Sequence, residues 1–179
     1  MTKERTLIDA GELGEATMQT MNTPEAVLSE GQADVGMEVV MTDAELANEL
    51  ERIGRMAGVR ADWAAAVAVR RGLNALQGAM GNAGILLHHD GRSEQEVREY
   101  LAEVAVRPPD RIDHAIRVLR DPVNRTYSFT YSEGARLIRP WLEIEGQTLG
   151  FQRLLAEELS PAVLLRDLDA AGVLTTETA

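Results

Sequence analysis

Three carboxylates recur one helical turn apart in the segment TPEAVLSEGQADVGMEVV: Glu30, Asp34 and Glu38. On a helix this i, i+4, i+8 spacing lays them along one face, and no Lys or Arg stands between them in the chain. Such a row has two chemical readings. It is a solvated acidic stripe, whose repulsion costs about 0.2–0.5 kcal/mol per pair, or it is part of a cation site. In the second reading Glu30 is a metal ligand, and Asp34 is an outer-shell carboxylate that orients a metal-bound imidazole. The neighbours Ser29, Gly31, Ala33 and Gly36 favour the second reading: they cost helix propensity, and their small size lets another element approach closely. Val27, Leu28, Val35 and Val39 occupy the other side and anchor the helix.

Imidazole is scarce, with only His88, His89 and His114 in the chain. His88 and His89 fall at the end of a helical stretch, where a protonated ring interacts favourably with the C-terminal dipole. Adjacent helical residues point about 100° apart, which makes the pair poor joint metal ligands.

The elements that must position these groups are punctuated as helices. Thr23-Pro24-Glu25 predicts a helix over Pro24 to about Val40, with a hydroxyl cap, a proline in the first turn and an early acid. Thr42 or Asp43 opens a second over Ala44 to Ala57, with Leu46, Leu50 and Ile53 on one face and Gly58 as its stop. Asp62 caps a long third helix through Leu87. That helix carries Gly72, Gly78, Gly81 and Gly84, each about 1 kcal/mol worse than Ala by propensity, so close packing or a ligand must offset them. Asn82, on the same face, is placed to bond a neighbouring helix. Ser93 and Glu96 form a capping box for a helix to about Val106. Pro108-Pro109 precedes a helix over Asp110 to Leu119, with Ile112, Ala115, Ile116 and Leu119 as its apolar face. Asp121-Pro122 reads as another helix start. The run Thr126 to Tyr131 has strand-like composition, but no second alternating run exists to pair with it, so helix is expected. Ser160-Pro161 begins a last short helix, and residues 170–179 read as a frayed tail. The fold class is all-α, an irregular bundle of about seven or eight helices.

Composition bounds the function. The chain has 179 residues, 18 basic and 29 acidic side chains and a formal charge of −11, which argues against nucleic acid or an anionic membrane surface as partner. Cysteine is absent, so disulfides, thiolate metal sites and a cysteine nucleophile are excluded. The mean hydropathy of −0.18 fits a globular chain. The charged start lacks a secretory h-region, and the stretch from Ala61 to Leu87 is broken by Arg70, Arg71, Asn74 and Gln77. A cytoplasmic location without a membrane span is the expectation.

Three stretches, NTPEAVLSEGQADVG, GNAGILLHHDGRSEQEVREYL and DPVNRTYSFTYSEGARLI, carry a resemblance. Together they resemble the C-terminal half of a bacterial group of gluzincin-type zinc metallopeptidase-like proteins, over about Leu13 to Arg166. Gluzincins hold zinc through the two histidines of an HExxH helix and a glutamate on a later helix, often followed four residues on by an aspartate. The resemblance therefore implies Glu30 as the third zinc ligand and Asp34 as its outer-shell partner. It also implies that Tyr131, with Tyr127 and Arg125 nearby, faces the oxyanion of a peptide or amide substrate. A phenol or guanidinium suits that developing charge. The plain alternative for Tyr127 and Tyr131, at i and i+4, is a packed pair with satisfied hydroxyls.

None of the three histidines begins an HExxH, so one of three ligands is present and the general base is missing. The resemblance implies residues 1–179 as a single helical domain, the C-terminal portion of a longer catalytic unit, silent alone. An upstream HExxH-bearing segment or chain is the implied partner, with zinc bound only when it is supplied. An uncovered Glu30 face would favour self-association or low stability. The alternative is a non-enzymatic helical module that uses its grooves for binding or scaffolding.

Overall fold

The computed structural model describes residues 5, 8–11 and 21–173, and among these every regular element is a helix. The expected all-α class is what the structure shows. In order the helices are α1 (Pro24–Val40), α2 (Asp43–Ala57), α3 (Trp63–Ala75), α4 (Gly78–His88), α5 (Glu94–Glu103), α6 (Pro109–Arg120), α7 (Ser128–Glu145), α8 (Gln147–Ala156) and α9 (Pro161–Ala170). Packing divides the chain into two compact units. One is continuous, residues 40–132; the other joins the described residues up to 39 with those from 133 to 173. α7 begins in the first and continues in the second from Glu133.

In the continuous unit, local chemistry sets most helix ends. The Thr42 hydroxyl accepts the Glu45 amide while the Glu45 carboxylate accepts the Thr42 amide, and Gly58 closes α2 at φ 71°. Asp62 accepts the Ala65 amide at 3.0 Å and starts α3. α2 and α3 pack as a pair in which Leu46 and Val67 are buried. Gly54 lies against the Trp63 indole, so closely that an added Cβ would stand 3.0 Å from Cη2. Ile53, expected on the buried face of α2, is instead 48% exposed.

The single helix expected from Asp62 through Leu87 is two. At the junction the amides of Leu76, Gln77 and Ala79 bond three residues back, to Leu73, Asn74 and Leu76, which tightens the chain into a short turn between α3 and α4. Gly78 begins α4 with open space where a Cβ would be, while Gly81 and Gly84 face the Phe129 ring. Close packing thus accounts for two of the four glycines, and Asn82 is exposed. The Ser93–Glu96 capping box opens α5 as expected. Ile112, Ala115, Ile116 and Leu119 of α6 are all buried, with Val97 and Leu101 of α5 and Ala79 and Ala83 of α4 in the same core.

Asp121-Pro122 does not start a helix. The Asp121 carboxylate accepts the Val123 and Asn124 amides at 2.8 and 3.2 Å and the Asn124 side chain at 3.0 Å, which fixes a turn. The helix follows from Ser128, so the strand-like run Thr126 to Tyr131 ends in helix as expected. The discontinuous unit packs α1 with α7, α8 and α9 around Leu28, Val35, Ile138, Trp141, Leu154, Leu164 and Leu168. Fully buried Trp141 donates its indole N–H to Asp167 at 3.2 Å, and the Arg153 guanidinium lies 5.3 Å from its ring. Of the expected tail, Ala170 closes α9 and residues 171–173 turn at Gly172; the rest lies outside the described residues.

Candidate functional site

α1 spans the residues predicted for it, and its small residues do bring another helix close. A Cβ on Gly31 would lie 2.6 Å from Gly134 Cα of α7, and one on Gly134 would lie 2.8 Å from Gly31 Cα. The two backbones therefore meet where neither residue has a side chain. Gly36 packs on the Phe151 ring, 3.2 Å from where its Cβ would be. Leu28 and Val35 are buried as the anchoring face, with Val39 packed against the same core. Ser29 and Ala33 are exposed.

The carboxylate row divides by environment. Glu30 and Asp34 are half-buried, and both have interaction partners in the protein. Glu38 accepts two bonds from the Arg139 guanidinium of α7, each at 3.1 Å. A fork of this kind matches carboxylate geometry and neutralises the end of the row. The repulsion expected along the stripe is thus relieved at its last member by a residue distant in sequence. Among the described residues no group of three or more His, Asp or Glu side chains is placed to hold a metal ion.

In the continuous unit the Tyr127 and Tyr131 rings meet edge to face, with centroids 5.5 Å apart and planes at 88°. This is a favourable quadrupolar arrangement. Tyr127 is half-buried and Tyr131 is 38% exposed, so the second ring presents part of its surface to solvent. His88 Nε2 lies 2.7 Å from the Leu119 carbonyl. A carbonyl only accepts, so Nε2 carries the proton, and one of the two ring nitrogens is committed to joining α4 to the end of α6. His89 caps α4 and is exposed, as is His114.

A cleft of about 420 Å³ opens beside that histidine pair, lined by Gly84, Ile85, His88, His89, Arg125, Thr126 and Phe129. Of the predicted site residues, Arg125 borders it. Glu30 and Asp34 belong to the discontinuous unit, whereas Tyr127, Tyr131 and Arg125 belong to the continuous one. The apolar contributors Ile85 and Phe129 carry no chemical signature and escaped the reading by residue type. The signal that could have exposed them is the Gly81/Gly84 pair three residues apart, since a helix shorn of side chains on one face leaves room for an aromatic ring. No protein-family model, no curated protein and no solved structure matches the chain. No described helix is long and apolar enough to cross a membrane.

Proposed function

We propose that this chain is a helical portion of a gluzincin-like zinc hydrolase, contributing Glu30 as a ligand, Asp34 as its outer-shell partner and Tyr131 as an oxyanion donor. The observation that supports this reading is the anchoring of α1. Gly31, next to Glu30, crosses Gly134 backbone to backbone, so the segment bearing both carboxylates is held by packing on a second helix. A ligand that must meet a metal within tenths of an ångström benefits from such support. Tyr127, packed on Tyr131, is a positioning residue for that phenol, and Arg125 is a second cation for an anionic substrate group.

Among the described residues the donors do not fit zinc by themselves. Zinc takes four ligands, usually three from protein in a hydrolytic site, and the described residues gather no such set. The histidines must come from an HExxH-bearing segment or chain, and without them the module is silent. A peptide or other amide is the substrate class that the resemblance implies. The exposed apolar residues Val69 and Leu73, one turn apart on α3, support self-association of the isolated module.

Metal analysis tests the proposal. The purified chain is expected to hold no stoichiometric zinc and to leave peptide amides intact. Reconstituted with the HExxH-bearing polypeptide of the same organism, it is expected to yield one zinc per complex, lost on Glu30→Gln. A complex that keeps its zinc and its rate in that variant would overturn the assignment. A non-enzymatic binding module is the second reading, favoured by the cleft at Arg125, which has no acidic lining residue.

A further inference from the structure

The cleft beside α4 combines a floor and a rim of different chemistry. Gly84, Ile85 and Phe129 supply apolar surface. Around this floor stand Arg125, His88 and His89, and no carboxylate lines the cleft. In a chain with a formal charge of −11, a recess lined by Arg125, two imidazoles and Thr126, with no carboxylate, departs locally from the acidic balance of the chain.

Arg125 is exposed, and its guanidinium makes no ion pair among the described residues. Several, though not all, other arginines of the same unit are engaged. Arg98 reaches Glu94 and Asp113, Arg71 reaches Asp43, and Arg120 reaches Glu94. His88 is oriented by its bond to Leu119, so its remaining nitrogen is the one left for a ligand. The volume falls within the range of small-molecule sites, and an apolar body with few convergent polar groups is their usual composition.

We propose that this cleft binds a small carboxylate carrying an aliphatic group, a chemistry offered by a peptide's C-terminal leucine and by free N-acylated leucine. The aliphatic group packs on Ile85 and Phe129, and the carboxylate receives the Arg125 fork. A guanidinium gives two parallel N–H donors to one carboxylate, so it selects the acid over its amide. The site lies within the continuous unit; it shares Arg125 with the hydrolase reading but none of the proposed metal ligands, so it stands or falls without zinc.

Nuclear magnetic resonance titration of the full chain with N-acetyl-leucine tests this. Binding is expected with a Kd on the order of 1 mM, as suits so small a ligand, with shifts at Gly84, Ile85 and Thr126. N-acetyl-leucinamide and acetate are each expected to bind about tenfold more weakly or worse. Arg125→Ala should weaken N-acetyl-leucine about tenfold or more, because a charged hydrogen-bonding pair is lost. Ile85→Glu, at an exposed position, should do the same by placing a carboxylate on the floor. Arg55→Ala, on α2, serves as the charge control. A peptide ending in leucine that binds more tightly than N-acetyl-leucine assigns the cleft to peptide termini, and equal affinity assigns it to free acids. Absence of shifts at these residues at about 20 mM, or retention of affinity in well-folded Arg125→Ala, would overturn the proposal.

Discussion

At single residues, capping carboxylates tie this fold to pH. Glu45 is held below the ordinary carboxylate range, first by the Thr42 amide and then by its hydroxyl. Glu96 is lowered by the Ser93 hydroxyl and amide, and by Arg92. Asp121 is lowered by the Val123 amide, the Asn124 side chain and the Asn124 amide. A carboxyl with a depressed pKa in the folded state favours folding above its unfolded pKa, and this contribution disappears as pH falls through the folded value. Urea midpoints of the continuous unit are therefore expected to be flat near neutrality and to decline from about pH 5 downward. The double variant Thr42→Ala/Ser93→Ala should have a shallower decline, because its Glu45 and Glu96 titrate closer to their unfolded values. An unchanged acid slope in that variant would show that the two cap hydroxyls do not contribute to it, since the backbone amides at both positions remain. Arg153 illustrates the opposite charge: Glu157 and Glu145 hold its guanidinium protonated beyond any accessible pH, so it adds no titration of its own.

At the level of elements, glycine has two opposite roles inside helices. Gly134 and Gly31 stand where two backbones touch, so Gly134→Ala should destabilise by about 3 kcal/mol or more, since rigid main chain rather than a flexible side chain must move. Gly72 has open space around it within α3, and Gly72→Ala should stabilise by up to about 1 kcal/mol. Equilibrium denaturation of the two variants should shift the midpoint in opposite directions; a shared sign would refute the contact at Gly134. Nothing in the local sequence distinguishes these glycines, because the difference lies in a partner remote in the chain. What was legible was local: the Ser93–Glu96 box, the Thr42 cap, the Gly58 stop and the apolar face Ile112, Ala115, Ile116 and Leu119 all stand as the residues predicted. What was not legible needed competition between signals. Asp121-Pro122 has the chemistry of a helix start, yet the Asp121 carboxylate spends its acceptors on a turn. The break at Leu76–Gln77 interrupts a run with no proline to announce it. The acidic face of α1 was readable as a row, but the arginine that neutralises Glu38 stands on α7, 101 positions away.

Across the whole molecule, each unit has its own core and its own tryptophan, Trp63 in the continuous unit and Trp141 in the other. Leu101 and Leu164 are fully buried in these respective cores. Truncating either to Ala should cost about 2–5 kcal/mol. In Trp141→Phe protein the Trp63 emission should report the Leu101→Ala loss, and in Trp63→Phe protein the Trp141 emission should report the Leu164→Ala loss. A Trp63 signal that follows the Leu164→Ala loss as closely as the Leu101→Ala loss would contradict the division of the cores. The order of the segments also matters while the chain is being made. Residues 40–132 contain every member of their own core, but Gly31 waits for Gly134. At about 5–20 residues per second, translation of the intervening stretch takes on the order of 5–20 s. During that interval Leu28 and Val35 have no core to enter, so the apolar face of α1 stays uncovered until α7, α8 and α9 have been made.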